Sequence, residues 1–569
     1  MKASFDSVSE NQMPARHTGH LFATALVCSV LACSGQVGEP GQPINPGAGG
    51  NGNGSGGGNG GGNQPGVDPG TKTLHRLNSA EYNATVADVL GTKMQPANSS
   101  WLGAEVEGFD NIAVVLDLDD AQYKRYFDTA EMIAEDVFAN ANLKAKVVTC
   151  ATEDATCVQS IISAAGRRLF RRPMTSDEVG TYNKVYTAAR GLGENHEGGI
   201  KQVMRALLSS SEFLYRIEFD PNPASPTKHP VAPFELASRL SYFLWSSAPD
   251  DALLDAAADG SLTQDDKLRA TVVRMLADPV KSRRFVENFA GQWLGARKLP
   301  EHPADATLFP QWSSDLASSL TQEMYLYFNE FLQGNRPWVD FMTADINYVD
   351  ANVAKLYGVP AGSAPGFQQM EIKTDKRVGF TGLGGFLALS SLGDRTSPTL
   401  RGKWILRNLL CSSPPDPPPG VAGLAASGLD PTKNVRVALE EHRKNPSCAA
   451  CHSLFDPMGL SLEQFDAIGK FRTTYTDGST IDPSAELDGV KFSGLEGLAD
   501  VVSKNTRFSE CISEVLFKYG LGRTIDDTDR PYLNQIQTEW KKGAPTLHNL
   551  VQSLVLAETF RYRHGSAGN

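Results

Sequence analysis

Beyond residue 32, the 569-residue chain has no uninterrupted apolar run of 18 or more residues, which excludes an internal membrane-spanning helix. It also lacks an excess of positive charge. With 53 Lys and Arg against 65 Asp and Glu, the formal charge is −12, whereas nucleic-acid and anionic-membrane surfaces both call for a basic footprint. Several enzyme signatures are missing: there is no G-x-S-x-G elbow, no P-loop, no H-E-x-x-H and no G-x-G-x-x-G after a clear strand. Gly379, Gly382, Gly384 and Gly385 come nearest to a glycine-rich loop, but without its phosphate-binding lysine they read as close helix packing. Strand patterns are scarce, the best being 368–372 and 490–492. What remains is ordinary for a globular protein, 41% hydrophobic and 21% charged, and long enough for two or more domains.

The N-terminus reads as an export signal. Arg16 and His17 precede the apolar run Leu21–Ala32, too short to cross a bilayer and long enough for a signal-peptide core. The run ends in Val30-Leu31-Ala32-Cys33, which resembles a bacterial lipoprotein box and predicts cleavage before Cys33 with lipidation of its thiol. Ser34 follows where Asp would retain a lipoprotein at the inner membrane, so the outer membrane, on its periplasmic or cell-surface face, is the expected location. Attachment is then by lipid anchor only. Export permits disulfides. Of the 8 cysteines, Cys28 leaves with the signal and Cys33 takes lipid. Cys448 and Cys451 belong to the motif described below, and Cys150, Cys157, Cys411 and Cys511 remain for two bridges. The closeness of Cys150 and Cys157 suggests one local bridge, which leaves Cys411 with Cys511 by elimination.

In chain order, the signal peptide spans 1–32 and a Gly/Asn/Pro-rich tether spans 33–72, a flexible coil by composition. Folded sequence follows, mostly α throughout. Helical domains are expected over 73–145 and 146–222, and a helical central domain over 230–362. Asn78-Ser79-Ala80-Glu81 and Thr175-Ser176-Asp177-Glu178 are capping signals. A helix over about 120–138 is expected to bury Tyr123, Phe127, Met132 and Ile133. The cluster Asp345-Ile346-Asn347-Tyr348-Val349-Asp350 invites a metal reading, but caps and turns account for it better. Pro414–Pro419 and the loop to Thr432 read as a stiff internal connector.

One stretch dictates a chemistry. Cys448-Ala449-Ala450-Cys451-His452 is a C-x-x-C-H run, the pattern of covalent c-type haem attachment. Positions i and i+3 of a helix share a face, so both sulfurs can reach the haem vinyl groups, and His452 follows as proximal iron ligand. Zinc is the chemical rival for two thiolates and an imidazole, but no second ligand pair lies at finger spacing. A helix over 434–444 is expected to lead into the motif. The haem helix is expected to start near Ser447, and Asp456–Leu460 is expected to form a turn. The attachment domain spans 368–475, with a C-terminal helical domain over 476–563 packing on it. The fold class is therefore a helical N-terminal and central lobe plus a small cytochrome-c-like helical lobe with minor β.

At this point the sequence resembles the exported, planctomycete-type cytochrome-like lipoproteins, built from a fixed order of domains of unknown function ending in a C-x-x-C-H region. The matching pieces are Leu77–Tyr82, Arg168–Pro173, Arg239–Trp245, Thr396-Ser397-Pro398 with Arg401-Gly402-Lys403, His442-Arg443 before the motif and Asp456-Pro457 after it, and Tyr519–Arg523. The resemblance implies an exported haem protein with one covalent haem c and a redox partner in the envelope. It also ranks His442, six residues before Cys448, first as distal ligand. His548, Met370 and Met342 follow; no methionine lies beyond Met458, which is too close to His452 to reach the far face. Three functions are compatible: electron transfer, a peroxidase-like enzyme with an open distal site, or a scaffold whose haem is structural or absent. Arg395, Arg401 and Arg472 are candidate distal cations whose default role is a surface salt bridge.

Overall fold

Helices begin where the sequence supplies a cap. In the computed structural model, which describes residues 74–564 except 98–100, 102, 117–118, 151, 221–224, 226, 374–376 and 415–433, Asn78 opens the helix Ser79–Leu90 with a full capping box to Glu81. Thr175 and Glu178 do the same for Ser176–Gly191, and each such cap contributes about 1 kcal/mol. The expected signal segment, the tether, Cys33 and residues 415–432 of the connector lie outside the described residues. Among the described residues, strands occur only as four two-stranded antiparallel sheets. Gln368–Met370 pairs with Asn347–Val349, and Val490–Ser493 pairs with Ser484–Leu487, so the fold is mostly α. No helix among the described residues is long and apolar enough to cross a membrane.

The helix Asp120–Ala139 departs from its expected face. Tyr123, Phe127 and Met132 are each about half exposed, at 51%, 49% and 52%. The buried stripe is Tyr126, Ala130, Ile133, Ala134 and Val137. Two alanines on that stripe let the helix approach His196–Leu208 closely, where a face of bulky side chains could not. Asp350 caps the helix Ala351–Tyr357, and no group of three or more metal-ligating side chains is assembled among the described residues.

Two main cores organise the described chain. Leu77 through Leu214 supply one, including Tyr82, Ile133, Ile161 and Leu207. The other draws on residues from Phe109 to Phe560, and Phe455, Met458, Leu462 and Phe465 of the motif segment belong to it. A small third cluster, Val435, Leu439, Leu460, Tyr475 and Ile481, sits beside the motif. Through the large core runs a column of stacked rings, Trp404–Phe380–Phe341–Trp338–Phe508, with centroids 5.7, 5.1, 4.5 and 5.4 Å apart. Gly384 and Gly385 press against Leu320 and Met324 of the helix Ser314–Gln333, so this glycine run serves helix packing. Disulfides join Cys150 to Cys157 and Cys411 to Cys511.

Candidate functional site

The C-x-x-C-H run occupies the first turns of the helix Pro446–Leu460. Pro446 stands at its first position, and Asn445 accepts a hydrogen bond from the Ser447 amide. Proline is favoured there because its missing N–H has no helical partner to lose. Cys448 is buried and Cys451 half-buried, one turn apart and outside both disulfides. His452 follows Cys451 directly, and its Nδ1 meets Oδ2 of Asp456, one turn on, at 2.9 Å. Asp456 is fully buried, and its other oxygen accepts from Thr399 Oγ1 at 2.9 Å. A carboxylate accepts, so Nδ1 is the donor, which in the neutral ring leaves the lone pair on Nε2. This carboxylate–histidine arrangement orients metal-ligating imidazoles and raises their basicity. The donor set of two thiols a turn apart and an imidazole poised at Nε2 therefore fits covalent haem. Asp456 was legible as a partner only through its i, i+4 spacing from His452; Thr399, from another helix, had no sequence signal.

The expected turn at Asp456–Leu460 is helical, with Pro457 inside the helix. The reason is a crossing. The helix Pro398–Asn408 packs so closely that a Cβ on Gly402 would lie 1.8 Å from the Phe455 carbonyl oxygen, and one on Gly459 would lie 1.8 Å from that of Pro398. Glycine here serves backbone approach within a helix, where the sequence pattern suggested chain reversal.

The segment after the motif helix is held by buried guanidiniums. Arg401 donates to the carbonyls of Leu462, Phe465 and Asp466 at 2.7–2.9 Å and is completely buried. Burial pulls its pKa down to about 10, against the opposing charge of Glu463. Glu463 accepts from Thr396 and Arg472, each at 2.9 Å, while burial raises its pKa. Arg377 reaches the carbonyls of Gly382 and Gly469. Arg401 is thus an internal carbonyl anchor rather than a surface salt bridge; Arg395 pairs locally with Asp394.

Of the four distal candidates, His442 is brought to His452. It ends the helix Val435–His442, and the two imidazoles meet edge to face, ring centres 4.8 Å apart. Burial, then His452, lower the pKa of His442, while Asp456 raises it. Met342 lies within the large core and Met370 packs against it; His548 is hydrogen-bonded to the Leu332 backbone. Met458 is fully buried.

Five regions of the chain match families each described as a protein of unknown function. They are DUF1587 at residues 75–139, DUF1595 at 157–218, DUF1592 at 231–359, DUF1588 at 377–475 and DUF1585 at 488–560. The motif helix lies in the fourth. No curated protein and no solved structure matches the chain.

Proposed function

Taking as premise that the chain belongs to the multi-domain cytochrome-like family built from these five regions in this order, we propose that it is an envelope-anchored lipoprotein of c-type cytochrome character, acting in electron transfer. One observation carries the reading: two cysteines a turn apart, with His452 fixed at Nδ1 by buried Asp456. Covalent haem at Cys448 and Cys451 would supply one-electron redox chemistry, with His452 as proximal ligand. The chain's own residues do the positioning. Thr399 orients Asp456, Asp456 holds the Nδ1 proton, and the Gly402/Gly459 crossing fixes the helix on which both stand. His442 packs against His452 itself, ring centres 4.8 Å apart, which leaves no room for a haem plane between the two rings, so this contact does not make His442 the sixth ligand. Lipid at Cys33 would tether the protein to the outer membrane, facing a redox partner in the envelope.

Expression of the full chain with a cytochrome c maturation system tests this. A haem stain on a denaturing gel is expected for the wild type and lost in Cys448→Ser/Cys451→Ser. A wild type that acquires no covalent haem sinks the reading and leaves the scaffold function. Cys33→Ser is expected to release the protein from membranes, and continued attachment refutes the anchor.

A further inference from the structure

A cavity of about 170 Å³ is lined by none of the residues of the C-x-x-C-H run. Its lining draws on four of the five family regions: His75 from the first, Arg216 from the second, Glu235 from the third and Arg523 from the last. Residues 377–475 line none of it.

The guanidiniums around the cavity differ in how they are occupied. Arg171, held at a positive φ of 62°, donates to the carbonyls of Glu212, Phe213 and Tyr215. Arg172 pairs with Glu178, Arg239 with Glu218 and Arg523 with Asp529, each through two hydrogen bonds. Arg216 stands apart. Its Nε is buried with no hydrogen-bond partner, and the nearest carboxylate oxygen to Nη1, on Glu81, is 3.8 Å away. Its flat face lies over the Tyr242 ring at 5.2 Å. Glu235 is the other underused group. Its Oε1 accepts from the Phe219 amide, while Oε2 is buried without an aligned hydrogen bond, 3.2 Å from Arg563. Burial pushes Glu235 up to about 7, against the pull of Arg563, so near neutral pH it competes only weakly with a bound anion for Arg216. Phe170, Phe219, Phe234 and Tyr562 supply apolar wall.

We propose that this chamber binds a small organic monocarboxylate, gripped by the Arg216 guanidinium, with its apolar body against the aromatic wall. A planar guanidinium matches a carboxylate through two parallel hydrogen bonds. The volume sets the size of the body, since an apolar cavity of about 150 Å³ admits benzene. A few convergent polar groups in an otherwise apolar concavity are the usual make-up of a ligand site.

Calorimetric titration of the full-length protein tests this with three probes: benzoate, glucose and inorganic phosphate. Saturable binding of benzoate at one site is expected, with affinity at least tenfold weaker in Arg216→Gln and partly retained in Arg216→Lys. Should Arg216→Gln fail to fold, Ser238→Leu, which fills the chamber from the helix Pro233–Trp245, is expected to abolish the same signal. Benzoate binding that survives these substitutions, no benzoate binding at all, or binding of glucose or phosphate in its place overturns the proposal.

Discussion

The motif helix and the four-region chamber are built in opposite ways. The two cysteines, His452 and Asp456 of the first lie within one helix, and only Thr399 and His442 come from neighbouring helices. The second takes its groups from residues as distant as His75 and Tyr562, and it exists only where separate segments meet. The helix keeps one buried carboxylate, Asp456, for one imidazole. Behind the chamber wall, buried Arg563 faces Glu218, Glu235 and Asp220 together. A local site tolerates loss of its surroundings better than an assembled one, because fewer long-range contacts have to form before it exists.

The largest test cuts the link between the two. Cys411 follows the helix that crosses the motif helix, and Cys511 sits in the helix Thr506–Leu521, whose end lines the chamber. Closing a loop of about 100 residues restrains the unfolded chain by about 4.7 kcal/mol in the chain-entropy account. Urea unfolding of Cys411→Ser/Cys511→Ser is expected to show a loss approaching that value, against about 2–3 kcal/mol for Cys150→Ser/Cys157→Ser, whose loop is short. Equal losses would mean that the long bridge does not couple the regions.

On the chamber side, Arg563→Met leaves three carboxyls facing one another with less positive charge. Breaking such a buried pair costs about 3–5 kcal/mol, read as a drop in denaturation midpoint. On the helix side, Gly459→Ala drives a methyl onto the Pro398 carbonyl, and overpacking of this kind costs about 1–3 kcal/mol. A mild Arg563→Met with a severe Gly459→Ala would invert the comparison.

Glu235 offers a pH signature. Its folded pKa of about 7 lies above the ordinary glutamate value of 4.5, so the native state holds this proton more tightly than the unfolded chain. The stability it contributes is full below about 4.5 and is lost as pH rises through 7. Glu235→Gln is expected to flatten the melting temperature between pH 5 and 8 by the equivalent of about 2 kcal/mol, whereas a parallel pH profile would place the titration elsewhere. The smallest effect belongs to Asp456→Asn. Its stability change is expected to stay under about 1 kcal/mol, while weaker support of the imidazole raises the reduction potential of the haem-loaded protein, checked by redox titration.

Much of the helical framework was legible because it is local. Asn78 and Thr175 announced their helices, the motif helix starts beside the expected Ser447, and the strand readings over 368–372 and 490–492 meet strands at Gln368–Met370 and Val490–Ser493. The misreadings share a cause. Over 120–139 the bulky side chains drew the eye, but the buried face is the one whose alanines permit a near neighbour. At 456–460, proline and glycine signal a turn, until a second helix needs the space a Cβ would occupy. Arg401 looked like a surface cation because its partners, carbonyls some sixty residues away in the chain, carry no side-chain signature. For the same reason nothing in the local pattern singled out Arg216.

The order of the cysteines has a consequence for biogenesis. Among the last four cysteines of the chain, Cys411 comes first, then Cys448 and Cys451, then Cys511, and the native bridge joins the first of these to the last. An oxidant acting on thiols as they emerge would couple neighbours, capturing Cys411 with a motif cysteine or closing the two motif cysteines on each other. Reaching the native pairing then requires thiol–disulfide exchange to undo that bond. For a protein exported as proposed, maturation is therefore expected to depend on a disulfide isomerase, a requirement that follows from the order of its cysteines.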